Sequence, residues 1–146
     1  MKIGIANDHH GVDLKKRIIS YLEKNNISYI NYGCDEKDNI DYIDYAVKLC
    51  TGINNKECDL GILICGTGIG MSIVANKIPG IICGKVNTKE EARLIKEHNI
   101  ANVMSLSEYT EDLENILHNF ICTEYSKEER HIRRNKKIKE LEKKYE

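Results

Sequence analysis

A three-layer α/β/α sandwich, with helices on both faces of a five-stranded parallel sheet, is predicted by three observations. Five short apolar segments are spread along the 146 residues, amphipathic helical stretches separate them, and a single proline leaves those stretches unbroken. Strands that alternate with helices form βαβ units, and parallel strands joined by helices need both faces of their sheet covered.

The elements follow in order. Residues 2–6 (Lys-Ile-Gly-Ile-Ala) read as the first strand, and Leu14, Ile18 and Leu22 then recur every four residues, as on one helix face. Residues 27–32 read as the second strand, and Tyr42, Ala46 and Leu49 mark the second helix. Residues 60–65 are nearly all apolar rather than alternating, the pattern of a strand buried on both sides. Residues 71–77 carry no helix breaker, and Pro79 precedes a fourth strand at 81–86. A fifth strand is read at 102–106. Leu113, Ile116, Leu117, Phe120 and Ile121 then follow the i, i+3, i+4, i+7, i+8 spacing of an amphipathic helix. One Rossmann-like domain over residues 1–146 accounts for all of this, with an extra C-terminal helix.

Composition narrows the function. A chain 41% hydrophobic and 31% charged has the balance of a soluble globular protein, and no apolar run approaches the roughly 20 residues that cross a bilayer. Met1 leads straight into a strand-like segment with no signal peptide, so a cytoplasmic location is expected. The six cysteines are irregularly spaced without a Cys-x-x-Cys, which favours reduced thiols over a disulfide framework or structural zinc. A net charge of −1 carries no overall nucleic-acid signature. Residues 127–146 are the exception, with nine Lys/Arg against five Glu. A solvated terminal helix explains such a run most simply, yet Ile138, Leu141 and Tyr145 add an apolar stripe that a solvated tail does not need. That stripe predicts a basic helix docked on a second copy of the chain.

In open parallel sheets, ligands bind beyond the carboxyl ends of the strands. Those ends hold Asn7-Asp8-His9-His10-Gly11, Gly33-Cys34-Asp35, Cys65-Gly-Thr-Gly-Ile-Gly70 and Asn87-Thr88, and the helix before the fifth strand ends at Glu97-His98-Asn99. These groups are expected on one edge. The third segment is the most informative, since glycines at every second position let several N–H groups point at one small volume beside a thiol. A helix starting just beyond adds positive potential there. A base beside an anion-stabilising pocket suits proton abstraction next to a carbonyl. A buried cysteine before an ordinary turn is the plainer alternative.

Other patterns are weaker. Asp8 also reads as a helix cap, and two adjacent histidines without further spaced ligands do not make a zinc site, so no metal is expected. His98-Asn99 also reads as a polar helix terminus, and His118 as a surface residue. Arg130 and Arg134 share a helix face, and paired guanidinium groups suit phosphate oxygens. The glycine spacing fits neither a dinucleotide fingerprint nor a triphosphate loop.

Asp8-His9, Asp41-Tyr42, Cys65-Gly-Thr-Gly-Ile-Gly70, Ala75-Asn-Lys77 with Pro79-Gly80, His98-Asn99 and Arg130-His-x-x-Arg134 occur in this order. Together they resemble ribose-5-phosphate isomerase of the B type, in the family that also holds galactose-6-phosphate isomerase subunits. The resemblance implies an aldose–ketose isomerase without cofactor or metal, working on a phosphorylated sugar through an enediolate. By position, Cys65 would be the thiol base, and thiols at helix N-termini ionise more readily. Backbone amides of Gly66, Thr67, Gly68, Ile69 and Gly70 would hold the enediolate oxygen, and Thr67 would also help relay or position protons. His98 would open the sugar ring, assisted by Tyr42 or Asp8. His9, Arg130 and Arg134 would bind phosphate and Asn99 a hydroxyl, in a site between two subunits of a homodimer or dimer of dimers.

Some positions depart from the family pattern. Ser107-Glu108-Tyr109 stands where a Gly-x-Arg usually brings a phosphate-binding arginine, so Tyr109 offers a hydrogen bond without a charge. Glu128-Glu129 replaces a Gly-Gly, Ile43 a proline and Ile100 an acid. The proton-transfer groups are intact while the phosphate end is altered. A ribose 5-phosphate isomerase is the leading expectation, with a hexose 6-phosphate isomerase or a non-catalytic sugar-phosphate binder as alternatives.

Overall fold

A computed structural model describes residues 1–36 and 40–146. Its five strands are β1 (Lys2–Asn7), β2 (Ser28–Asn31), β3 (Leu60–Cys65), β4 (Cys83–Lys85) and β5 (Val103–Ser107). They form one sheet in the order β2-β1-β3-β5-β4, and every neighbouring pair is parallel. Six helices accompany them: α1 (Val12–Lys24), α2 (Tyr42–Asn54), α3 (Ile69–Asn76), α4 (Lys89–Glu97), α5 (Leu113–Cys122) and α6 (Glu129–Lys144). This is the predicted three-layer sandwich with its added C-terminal helix.

Alternation along β3 divides the core. Ile62 and Ile64 face one layer with Leu14, Ile18 and Leu22 of α1 and Ile116, Leu117 and Phe120 of α5. Leu63 and Cys65 face the other, with Ala46 and Leu49 of α2 and Met71 and Ala75 of α3. Every residue of β3 is buried, which explains its near-continuous apolar sequence. Close packing also uses the absence of a side chain at Gly11, where a Cβ would come within 2.8 Å of Ile64.

The chain runs outward from β1 to β2, then crosses back to place β3 on the other side of β1. That reversal opens a crevice between the carboxyl ends of β1 and β3, the switch point at which α/β sheets hold ligands. Beside it lies a buried polar cluster. Lys15, 1% exposed, donates to Asn31 Oδ1 at 3.2 Å, to Asp35 Oδ1 at 2.7 Å and to the Cys34 carbonyl. Asn7 donates to the Asp8 and Cys34 carbonyls at 2.8 and 3.0 Å. The hydrogen bond from Lys15, joined by one from Asn31, holds the Asp35 carboxyl below the usual carboxylate range. The segment after β2 is thereby pinned to α1 and β1. Among the described residues, no helix is long and apolar enough to cross a membrane.

Candidate active site

The end of β3 gives way to the glycine loop through one left-handed residue. Gly68 has φ +78° and is the N-cap of α3; a Cβ there would come within 2.9 Å of the Leu106 carbonyl carbon. The buried Ser105 hydroxyl donates to the Gly68 carbonyl at 2.6 Å, and the Gly68 N–H turns inward to donate to Cys65 Sγ at 3.1 Å. Cys65 is 5% exposed, and its sulfur accepts that amide hydrogen bond at the N-terminus of α3. The Ile69 N–H donates to Thr67 Oγ1 at 3.1 Å, leaving the exposed Thr67 hydroxyl free to donate its own proton. Two of the five amides predicted to hold an oxygen, those of Gly68 and Ile69, therefore already have partners on the loop.

Around this loop stand the groups from β1, α2 and β5. Asp8, 5% exposed, caps the 3₁₀ turn His9–Gly11 by accepting from His10 N at 2.9 Å. His9 Nδ1 is buried without a hydrogen-bond partner, and the His9 and His10 rings lie 4.1 Å apart. Tyr42 opens α2 with its ring over the loop, so a Cβ on Gly70 would come within 2.8 Å of the ring carbon Cζ. Gly66 faces a different pair: His10 Cδ2 and Glu108 Oε2 each lie 3.6 Å from the position its Cβ would take. His10 Nδ1 and Glu108 Oε2 are 3.0 Å apart. Tyr109 follows at the same edge, 79% exposed.

The remaining predicted residues are not brought to this edge. The helix α4 leaves the carboxyl edge after β4 and runs back, so His98 and Asn99 stand where β5 begins. There Val103 pairs with Gly61 and Cys83, at the opposite ends of the strands from Cys65. Six residues of β3 separate the two edges by roughly 20 Å at the usual rise per residue. The expectation that Glu97-His98-Asn99 joins the other strand ends within one chain is thus corrected, because a helix linking parallel strands must finish at the amino edge.

At that amino edge α6 builds a second cluster. The His98 ring stacks on His131 with centroids 4.2 Å apart. His131 is 5% exposed and its Nδ1 lies 2.7 Å from Ser126 Oγ. Burial, then the neighbouring His98 and Arg130, push the His131 imidazole below its usual value. Asn135 donates to the His98 carbonyl and the Tyr125 hydroxyl at 2.8 and 2.7 Å. Arg130 and Arg134 are exposed here, and Arg130 Nε bonds Glu128 Oε2 at 3.0 Å, so this acid binds the arginine in the chain itself. Sequence reasoning missed His131, Asn135, His10 and Glu108. Of these, His10 was visible in the paired His9-His10 and His131 in Arg130-His-x-x-Arg134, without a role attached to either.

Among the described residues, Asp8, His9 and His10 are the set whose ligand atoms approach one another closely enough for a metal, within 4.8 Å. Their observed bonds are those of a turn cap and a His–Glu pair. All six cysteines are free thiols.

Comparison with known proteins agrees with this architecture. A family model described as Ribose/Galactose Isomerase matches residues 3–138. The ribose-5-P isomerase B of Listeria innocua is 39% identical over 106 residues, 73% of this chain and 72% of that protein. The structure of Clostridium thermocellum ribose-5-phosphate isomerase B superposes with a TM-score of 0.95 at 40% identity, covering 100% of both chains. Ribose-5-phosphate isomerase B from Mycoplasma genitalium, with bound ribulose-5-phosphate, gives 0.90 at 36% identity over 97% of this chain and 96% of its own. Since the match runs from the first strand into the last helix, the resemblance to type B ribose-5-phosphate isomerases holds, and the chain belongs to the ribose/galactose isomerase family.

Proposed function

We propose that the protein interconverts ribose 5-phosphate and ribulose 5-phosphate, with Cys65 as the base. The observation that carries this reading is a thiol at a helix N-terminus, bonded by the Gly68 amide and set in the crevice between β1 and β3. Membership of an isomerase family and likeness to a relative with ribulose-5-phosphate bound support it. Cys65 Sγ removes the proton from the carbon next to the carbonyl, and the enediolate oxygen is held by the amides of Gly66 and Gly70. Such preorganised donors are typically worth about two to three orders of magnitude in rate. The Thr67 hydroxyl moves protons between the two oxygens, with Asp8 and Tyr42 beside them.

Ring opening falls to His98, with Asn99 on a sugar hydroxyl and Arg130 and Arg134 joining His9 on the phosphate. Their position at the opposite edge requires a second copy of the chain, so the complete site forms between two subunits. Uncovered apolar surface supports that assembly. Ile69 and Ile73 of α3 are 53% and 56% exposed, and Ile138, Leu141 and Tyr145 of α6 are 46%, 56% and 76% exposed. The α6 stripe borders an open groove of about 1070 Å³ with Pro79, Ile81 and Ile82, so α6 both rests on its own chain and presents a face for its partner.

A hexose 6-phosphate is the second reading, favoured by an uncharged Tyr109 and an Arg130 already bound to Glu128. One set of kinetics tests both. Wild-type protein should turn over ribose 5-phosphate with a higher kcat/KM than six-carbon 6-phosphates. Cys65→Ala should lose at least about a thousandfold in kcat while still binding the sugar phosphate. An active alanine variant removes Cys65 from the reaction, and a preference for the hexose replaces the substrate.

A further inference from the structure

Two imidazoles follow one another at the end of β1, and only His9 has a role so far. We propose that His10 is a second ligand of the substrate's phosphate, oriented by Glu108; this rests on the isomerase reading above. Three contacts place it. Its ring centroid lies 4.1 Å from that of His9. Its Nδ1 lies 3.0 Å from Glu108 Oε2. Its Cδ2 lies 3.6 Å from the point where a Gly66 Cβ would stand, as does Glu108 Oε2. His10 therefore sits between the phosphate residue and the first amide of the glycine loop.

The chemistry of the pair sets what it binds. A carboxylate at the rim of a pocket for a sugar phosphate repels the ligand unless a cation stands between them. Because Nδ1 faces the Glu108 carboxylate, it carries hydrogen, and the outward nitrogen is Nε2. The His10 side chain is 50% exposed against 24% for Glu108, so the imidazole is the more open of the two. A phosphate oxygen at Nε2 needs hydrogen there as well, which makes the ring a cation bridging two anions. Among the described residues beside this crevice, Lys15 is buried and already bonded to Asp35. Of Asp8, His9, Tyr42, Cys65, Thr67 and Tyr109, only His9 can become positive. His10 thus adds to the phosphate end and neutralises the acid beside it.

The turn cap uses the His10 backbone N–H, so a substitution leaves the cap to Asp8 intact. The test measures KM for ribose 5-phosphate and the inhibition constant of inorganic phosphate. His10→Ala and His10→Gln should each raise both about tenfold, the loss of one charge-assisted hydrogen bond, while kcat moves much less. Adding Glu108→Gln to His10→Ala should recover part of that loss, because the unpaired carboxylate is removed. Unchanged phosphate inhibition, or a fall in kcat with KM unaltered, overturns the proposal. Calorimetric titration with inorganic phosphate gives the same comparison without turnover. A wild-type protein that fails to isomerise the sugar therefore sinks the isomerase reading alone, and equal phosphate affinity in wild type and variants sinks His10.

Discussion

His131 is a single buried side chain stacked on the residue proposed to open the sugar ring. It lies under His98, bonded through Nδ1 to Ser126, and its environment lowers its affinity for a proton. The sign follows from linkage. A base whose folded value lies below its unfolded one, near 6.5 for histidine, binds fewer protons when folded. The stability it contributes is complete above about pH 6.5 and is lost as pH falls through the folded value. Thermal melts from pH 7.5 to 5 should therefore show a steeper fall in Tm for wild type than for His131→Phe, which keeps a stacked ring without the titration. Equal slopes would refute this assignment. A buried histidine next to Arg130 is indistinguishable in sequence from a surface one, so the motif showed His131 but neither its burial nor its stacking on His98. Lys15 is similar: it shares the α1 stripe with Ile18 and Leu22, and its burial depends on acceptors from the segment after β2.

Among the elements, the turn from β3 into α3 carries the most consequence. Gly68 takes a backbone conformation that other residues adopt with strain, and it has no room for a Cβ. Gly68→Ala should cost about 1–3 kcal/mol in denaturant unfolding. It should also lower kcat, since the amide aimed at Cys65 moves with the backbone; a variant of wild-type stability and rate would contradict this geometry. The strands were legible because their apolar runs are short and bounded. Their ends were less so at the sheet edges: residues 81–86 were expected where β4 covers Cys83–Lys85, and 27–32 where β2 covers Ser28–Asn31. Backbone hydrogen bonds to the neighbouring strand still form at Tyr32, Ile82 and Val86, so the expected ends differ only in the outermost residues of the two edge strands. The helix after the glycine loop begins at Ile69 rather than at Met71, because Gly68 itself serves as the cap. The thiol's place at a strand end was legible in the sequence, and the edge occupied by His98 followed from the predicted parallel connection, in which a helix leading into a strand finishes at the amino edge.

For the whole molecule, the placement of Cys65 and His98 at opposite edges of one sheet makes a sharp prediction. In a dimer of the proposed kind, Cys65 of one subunit works with His98 of the other. Cys65→Ala and His98→Asn proteins, each inactive alone, should regain activity when unfolded and refolded together. An equal mixture gives half heterodimers with one intact site each, so about a quarter of wild-type activity is expected. Kinetic assay of the refolded mixture checks it, and a mixture as silent as its components would mean that both residues serve the same chain.

The Arg130–Glu128 pair has a consequence for working conditions. On the proposed reading, an incoming phosphate must displace an acid that the same helix already supplies, exchanging one anion for another. Such an exposed pair is worth only about 0–1 kcal/mol, so the grip on substrate and product loosens a few-fold while the barrier to proton transfer is untouched. A catalyst built this way releases its product readily and performs best where its sugar phosphate is abundant.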